Sequence, residues 1–159
     1  MTIQLGTLQP LVVPWQITQS VTNFGVCFQE QVRLEVAADV NSLSDHDGRF
    51  ESKRIRLSFV SPAHVSLLAA IGVRASVDLS NYAISIPSES LAGGTDRGTM
   101  RKHWLSTGIC PYPNAYKVVD SKLLADLGIE STECTEYVLV GQDWSIIVAA
   151  KAFTWEWHI

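Results

Sequence analysis

The sequence predicts an α+β fold: a single domain, residues 1–159, built on a predominantly antiparallel, strongly curved sheet with two short helices. Roughly six to nine strands are expected, with a half-open barrel as the alternative arrangement. Three observations point there. Apolar and polar residues alternate with period two in several separate segments, two short stretches carry helix start and stop signals, and 47% apolar against 18% charged residues is enough to build one core.

The first alternating segment is QVRLEVA, where Val32, Leu34 and Val36 share one face and Arg33 and Glu35 the other. KRIRLSFV repeats the pattern, with Ile55, Leu57 and Phe59 set against Arg54, Arg56 and Ser58. Both outer faces should meet water. SPAHVSLLAAIG follows; Ser61 suits a helix cap, Pro62 the first helical position and Gly72 the residue after the end, which predicts a short helix. VRASVDL alternates again, so Lys53 to Leu79 reads as strand, helix, strand. Beyond Leu79 the apolar phase shifts to Tyr82, Ile84 and Ile86, predicting a hairpin turned at Ser80 and Asn81. PSESLAGGTDRG, residues 87–98, has the composition of a loop.

The last third predicts a strand in NAYKVVD and a helix in SKLLADLG, capped by Ser121 and presenting Leu123, Leu124 and Leu127 on one face. TEYVLVG and WSIIVAAKAFTWEW then form a hairpin around Gly141, Gln142 and Asp143. Its second arm ends with Phe153, Trp155, Trp157 and Ile159 on a single face.

A net charge of −4 argues against a nucleic-acid partner, which calls for a basic face or arm. The local exception is RGTMRKHW, where Arg97, Arg101 and Lys102 stand near His103 and Trp104; it reads as a solvated loop. The apolar run LVV stops at Pro14 after no basic region, and no stretch is long enough for a membrane span, so a cytoplasmic protein is expected. Cys27, Cys110 and Cys134 are odd in number and irregularly spaced, as reduced thiols are.

Cofactor and metal motifs fail on inspection. Aligning Gly48 of DHDGRFE with the glycine of a calcium loop puts Leu43 at the first ligand position and Arg54 at the twelfth, where a carboxylate is required. AGGTDRG lacks the Lys-Ser/Thr pair of a phosphate loop, and no two histidines have zinc spacing. No cofactor and no metal is expected.

Two candidate sites remain. In WLSTGICPYPNAY, Cys110 is a nucleophile only if its pKa is depressed, and Pro111 and Pro113 remove the helix start that would depress it. A rigid corner is the reading. The alternative is a small cysteine-dependent hydrolase or transferase using Cys110 and His103. The second candidate is acidic: Glu130, Glu133 and Glu136, with Asp143 further along, offer a docking surface for a basic protein partner.

The run TGICPYPNAYKVVDSKLLADLG, followed by EYVLVGQDWSIIVAA and a late tryptophan, resembles a pattern in small uncharacterised bacterial β-rich proteins, some of immunity-protein type. The resemblance covers Trp104 to Trp157, and Asn114 stands where that pattern has glycine. It implies a non-enzymatic, protein-binding domain that neutralises a toxin, with Pro111 and Pro113 as an architectural corner. An edge strand bearing aromatics would also serve a homodimer.

Overall fold

A computed structural model of the chain describes residues 3–28, 32–44, 47–69, 81–85, 97–141 and 144–158. These residues form β1 (Gly6–Pro10), β2 (Trp15–Phe28), β3 (Val32–Leu43), β4 (Phe50–Val60), β5 (His64–Ala69), β6 (Tyr82–Ile84), α1 (Arg97–Thr107), β7 (Ala115–Val119), α2 (Lys122–Asp126), β8 (Thr135–Val140), β9 (Trp144–Ala150) and β10 (Ala152–Trp157). One sheet has the order β5-β9-β8-β7-β1-β6 and the other β10-β4-β3-β2. Among the described residues every strand pairing is antiparallel except β1 with β6. No described helix is long and apolar enough to cross a membrane.

The alternation in the sequence explains the layering. Leu34, Val36, Ala38 and Val40 of β3 and Ile55, Leu57 and Phe59 of β4 meet Tyr137, Leu139, Ile146 and Val148 of β8 and β9 in one core between the sheets. The outer side of β3 and β4 is polar, as expected, with Arg54 paired to Asp39 at 2.9 Å and Arg56 to Glu156 at 3.2 Å. The far side of the larger sheet is also covered. Leu8, Tyr82, Tyr116, Val118 and Val138 form a second apolar cluster there, and Leu124 of α2 packs on Cys134 and Ala149.

The expectation of six to nine strands in one strongly curved sheet is corrected to ten described strands in two sheets, neither strongly curled. The reason lies in WSIIVAAKAFTWEW. The chain passes from β9 to β10 over the single residue Lys151, whose N–H donates to the Val60 carbonyl at 3.0 Å, so one apparent long strand serves both sheets. A core closed by a second sheet needs no curling. Phe153 and Trp155 of β10 pack against that core; Trp157 is exposed, and Ile159 lies outside the described residues.

The helix expected from Ser61 to Gly72 is instead a strand over its described part. β5 pairs with β9 from His64 opposite Ala149 to Ala69 opposite Trp144. Ser61 does not cap; it turns, with φ of 49°, and the Ala63 N–H donates to the Ala149 carbonyl at 2.7 Å, which commits the chain to the sheet edge. The strand expected at 73–79 lies outside the described residues, and β6 pairs in parallel with β1. The predicted loop 87–98 is likewise outside them up to residue 96; its last two residues open α1. RGTMRKHW is therefore helical, not a loop. α1 ends at Gly108, which has φ of 71° and donates its N–H to the Trp104 carbonyl at 2.8 Å.

The capped helix α2 matches the expectation, the Leu124 N–H donating to Ser121 Oγ at 3.1 Å. Leu124 is buried, but Leu127 is the C-cap residue and is exposed.

Candidate functional site

Of the carboxylates expected to share a surface, Glu136 is buried away from Glu130 and Glu133. Glu130 and Glu133 are exposed in one turn, where the Glu133 N–H donates to the Glu130 carbonyl at 2.9 Å. Asp143 lies outside the described residues. Glu136 is 1% exposed, on the side of β8 turned toward α2 and β6. Its Oε1 accepts from the Tyr82 hydroxyl at 3.1 Å and its Oε2 from the Ser121 hydroxyl, so this one side chain ties β6 and the start of α2 to the sheet. Burial pushes its pKa above the ordinary carboxylate range, against the opposing pull of the two hydroxyls and of His64. Burial, followed by the neighbouring carboxylate, likewise raises the Tyr82 phenol.

Cys110 is 2% exposed, and burial pushes its thiol up to about 12. The thiolate that a nucleophilic cysteine needs is scarce at neutral pH. Its surroundings are those of a corner. The Cys110 N–H donates to the Val13 carbonyl at 2.8 Å, the Ile17 N–H to the Pro113 carbonyl at 3.0 Å, and Gln16 Nε2 to the Tyr112 carbonyl at 2.8 Å. Asn114 takes a left-handed φ of 57° and donates Nδ2 to the Ile17 carbonyl at 2.9 Å. Asparagine tolerates that conformation better than most residues, which accounts for it where glycine was expected. His103 sits on α1, where its carbonyl accepts from the hydroxyls of Ser106 and Thr107.

A site that the sequence did not disclose forms beside α1. The Ser44 N–H donates to the Arg49 carbonyl at 2.8 Å and the Gly48 N–H to the Ser44 carbonyl at 3.1 Å, with Gly48 at φ of 64°. A Cβ on Gly48 would lie 2.9 Å from Leu105 Cδ2, so helix and loop are in close contact. The Phe50 and Trp104 rings meet tilted at 56° with centroids 5.2 Å apart, and Arg101 covers Phe50 at 5.9 Å while donating Nη2 to the Gly48 carbonyl at 3.1 Å. Between these elements lies a groove of about 340 Å³, lined by Pro14, Leu43, Gly48, Trp104 and Leu105 among others. Phe50 is 49% and Leu105 50% exposed. Arg101 and Lys102 are exposed on the same helix. The only sequence signal for this arrangement was Gly108, a stop residue for a helix that otherwise buries little.

These elements define a mostly β protein, two stacked sheets carrying two helices among the described residues. Comparison with protein families, curated proteins and solved structures finds no match.

Proposed function

We propose that this chain is a non-catalytic protein-binding domain and that the groove beside α1 is its docking surface. The observation that carries the reading is a groove lined by exposed Leu105 together with Pro14, Leu43 and Trp104, with exposed Phe50 against the Trp104 ring. Large apolar side chains scattered singly are ordinary on a protein surface; a patch of them with a polar rim marks an interaction site. Arg101 and Lys102 at its edge favour a partner segment with an apolar anchor beside carboxylates. The turn bearing Glu130 and Glu133 is a weaker candidate, because Glu136 is withdrawn from it.

The resemblance of the C-terminal third to immunity-type proteins makes the partner a toxin encoded in the adjacent reading frame. That gene product is the protein to test. Wild type should bind it, Leu105→Glu should weaken binding about a hundredfold, and Glu130→Gln with Glu133→Gln should leave it unchanged. Association should slow as salt shortens the Debye length from about 10 Å at 0.1 M to about 3 Å at 1 M. Wild-type affinity in Leu105→Glu rejects the groove, and failure of the wild-type chain to bind the adjacent product rejects the immunity-type reading.

A further inference from the structure

Glu136 raises a question that its structural role does not answer. It is a carboxylate removed from water, yet both of its hydrogen-bond donors, Tyr82 and Ser121, are neutral hydroxyls. Among the described ion pairs none involves it. Lys122 is close by, but its Nζ is held by both oxygens of Asp126 at 2.7 Å. His64 lies in the same cross-strand row, separated from Glu136 by Ala149, and directs Nε2 to Ser66 Oγ at 2.7 Å. A buried carboxylate with neutral donors alone is costly unless a cation joins it or a proton neutralises it.

Beside it is a cavity of about 190 Å³. Leu5, Leu123 and Ile147 form its apolar wall, Ser66, Tyr82 and Glu136 contribute oxygens to its polar side, and His64 and the mutually paired Lys122 and Asp126 complete the lining, so that Glu136 is the carboxylate there without an ion-pair partner. This combination of an apolar wall with a few converging polar groups is that of a small-molecule site, and the volume is below that of a drug-sized pocket. The acceptor count is specific. Glu136 has two of about four lone-pair sites occupied, Tyr82 donates its proton and keeps its oxygen lone pairs, and the Ser66 hydroxyl can also accept. An alkylammonium group carries three N–H donors and no acceptor, which matches three acceptors beside an uncompensated negative charge.

We propose that this cavity binds a small molecule through a primary ammonium group, with Glu136 as its counter-ion and Leu5, Leu123 and Ile147 covering its short apolar part. The site is separate from the groove beside α1 and does not depend on the protein-binding reading.

The test is an amide NMR titration of the whole chain with n-propylammonium chloride, run beside n-propanol at matched chloride. Saturable shifts are expected around residues 64–66, 121–126 and 136, with a Kd of about 1 mM, reasonable for a ligand this small. n-Propanol should give none. Glu136→Gln, which keeps the shape and removes the charge, should weaken ammonium binding about tenfold or more. His64→Gln should retain it. Absence of saturable shifts in the wild type, equal binding of propanol, undiminished binding in Glu136→Gln, or loss in His64→Gln alone would each overturn the assignment.

Discussion

Replacing Glu136 by glutamine and by alanine separates what its charge costs from what its hydrogen bonds contribute. Alanine leaves the Tyr82 hydroxyl, which is buried with its ring, without an acceptor; Ser121 keeps the bond it accepts from the Leu124 amide. An orphaned buried donor costs about 1–3 kcal/mol, and the space left in a packed layer adds to it, so Glu136→Ala should lose about 2–4 kcal/mol. Glutamine carries no charge and can accept from one hydroxyl through Oε1 while its Nε2 donates to the oxygen of the other, whose proton must then turn elsewhere. Because burial raises the folded-state pKa of Glu136, between the unfolded and the folded value the folded chain holds a proton there that the unfolded chain has released, and above both the side chain is a carboxylate in either state. Its contribution to stability is thus fully present below the unfolded carboxylate value, about 4.3, and lost as pH rises through the raised one. Urea unfolding should accordingly place Glu136→Gln within about 1 kcal/mol of wild type at pH 4 and shift the balance toward glutamine by pH 8. If glutamine is as damaging as alanine at pH 8, the ionised carboxylate is net stabilising and the argument from burial is wrong.

Gly6 has φ of 138°, and a Cβ there would meet Val118 Cγ1 at 2.5 Å and the Val119 carbonyl oxygen at 3.0 Å; Gly6→Ala should cost about 2–4 kcal/mol in urea unfolding, and a loss below about 1 would contradict the packing. Cys110, with its thiol at about 12, should react with iodoacetamide at pH 8 more than about a hundredfold slower in the native chain than in the urea-unfolded one, followed by peptide mass mapping. Rapid native labelling would reopen the cysteine-enzyme reading. Glu130→Gln and Glu133→Gln, both on exposed turn residues, should each change stability by less than about 0.5 kcal/mol in the same unfolding assay.

The elements legible in the sequence are those whose two faces differ. In β4 the buried Ile55, Leu57 and Phe59 alternate with more polar neighbours, and α2 is marked by Ser121 in front of its leucines. The remainder was hidden for distinct reasons. β2 opens with buried Trp15 and Ile17, but register shifts between Ile17 and Val21 and between Val21 and Asn23 break the alternation that would have revealed a strand. β5 alternates His64 and Ser66 with Val65 and Leu67, but Ser61 and Pro62 ahead of it imitate a helix start, and pairing with β9 overrides that local signal. α1 has no apolar stripe, because Trp104 is its one fully buried side chain among those described. The groove depends on α1 meeting Gly48, a contact between segments more than fifty residues apart that no local pattern encodes.

Glu136 was misplaced for a more instructive reason. Alternation in TEYVLVG puts Thr135, Tyr137 and Leu139 on one face and Glu136, Val138 and Val140 on the other, and a sheet with one wet face would send the glutamate to water. But the run from Tyr137 to Val140 is apolar at every position, which is the composition of a strand covered on both sides, and β8 is central, between β7 and β9. With Val138 and Val140 on its own face already packed in the second apolar cluster, Glu136 lies in a covered layer and is 1% exposed. A carboxylate in such a strand must find donors inside the protein. Tyr82 and Ser121 supply them from two other elements, so the residue expected to recruit a partner instead holds β6 and α2 to the sheet.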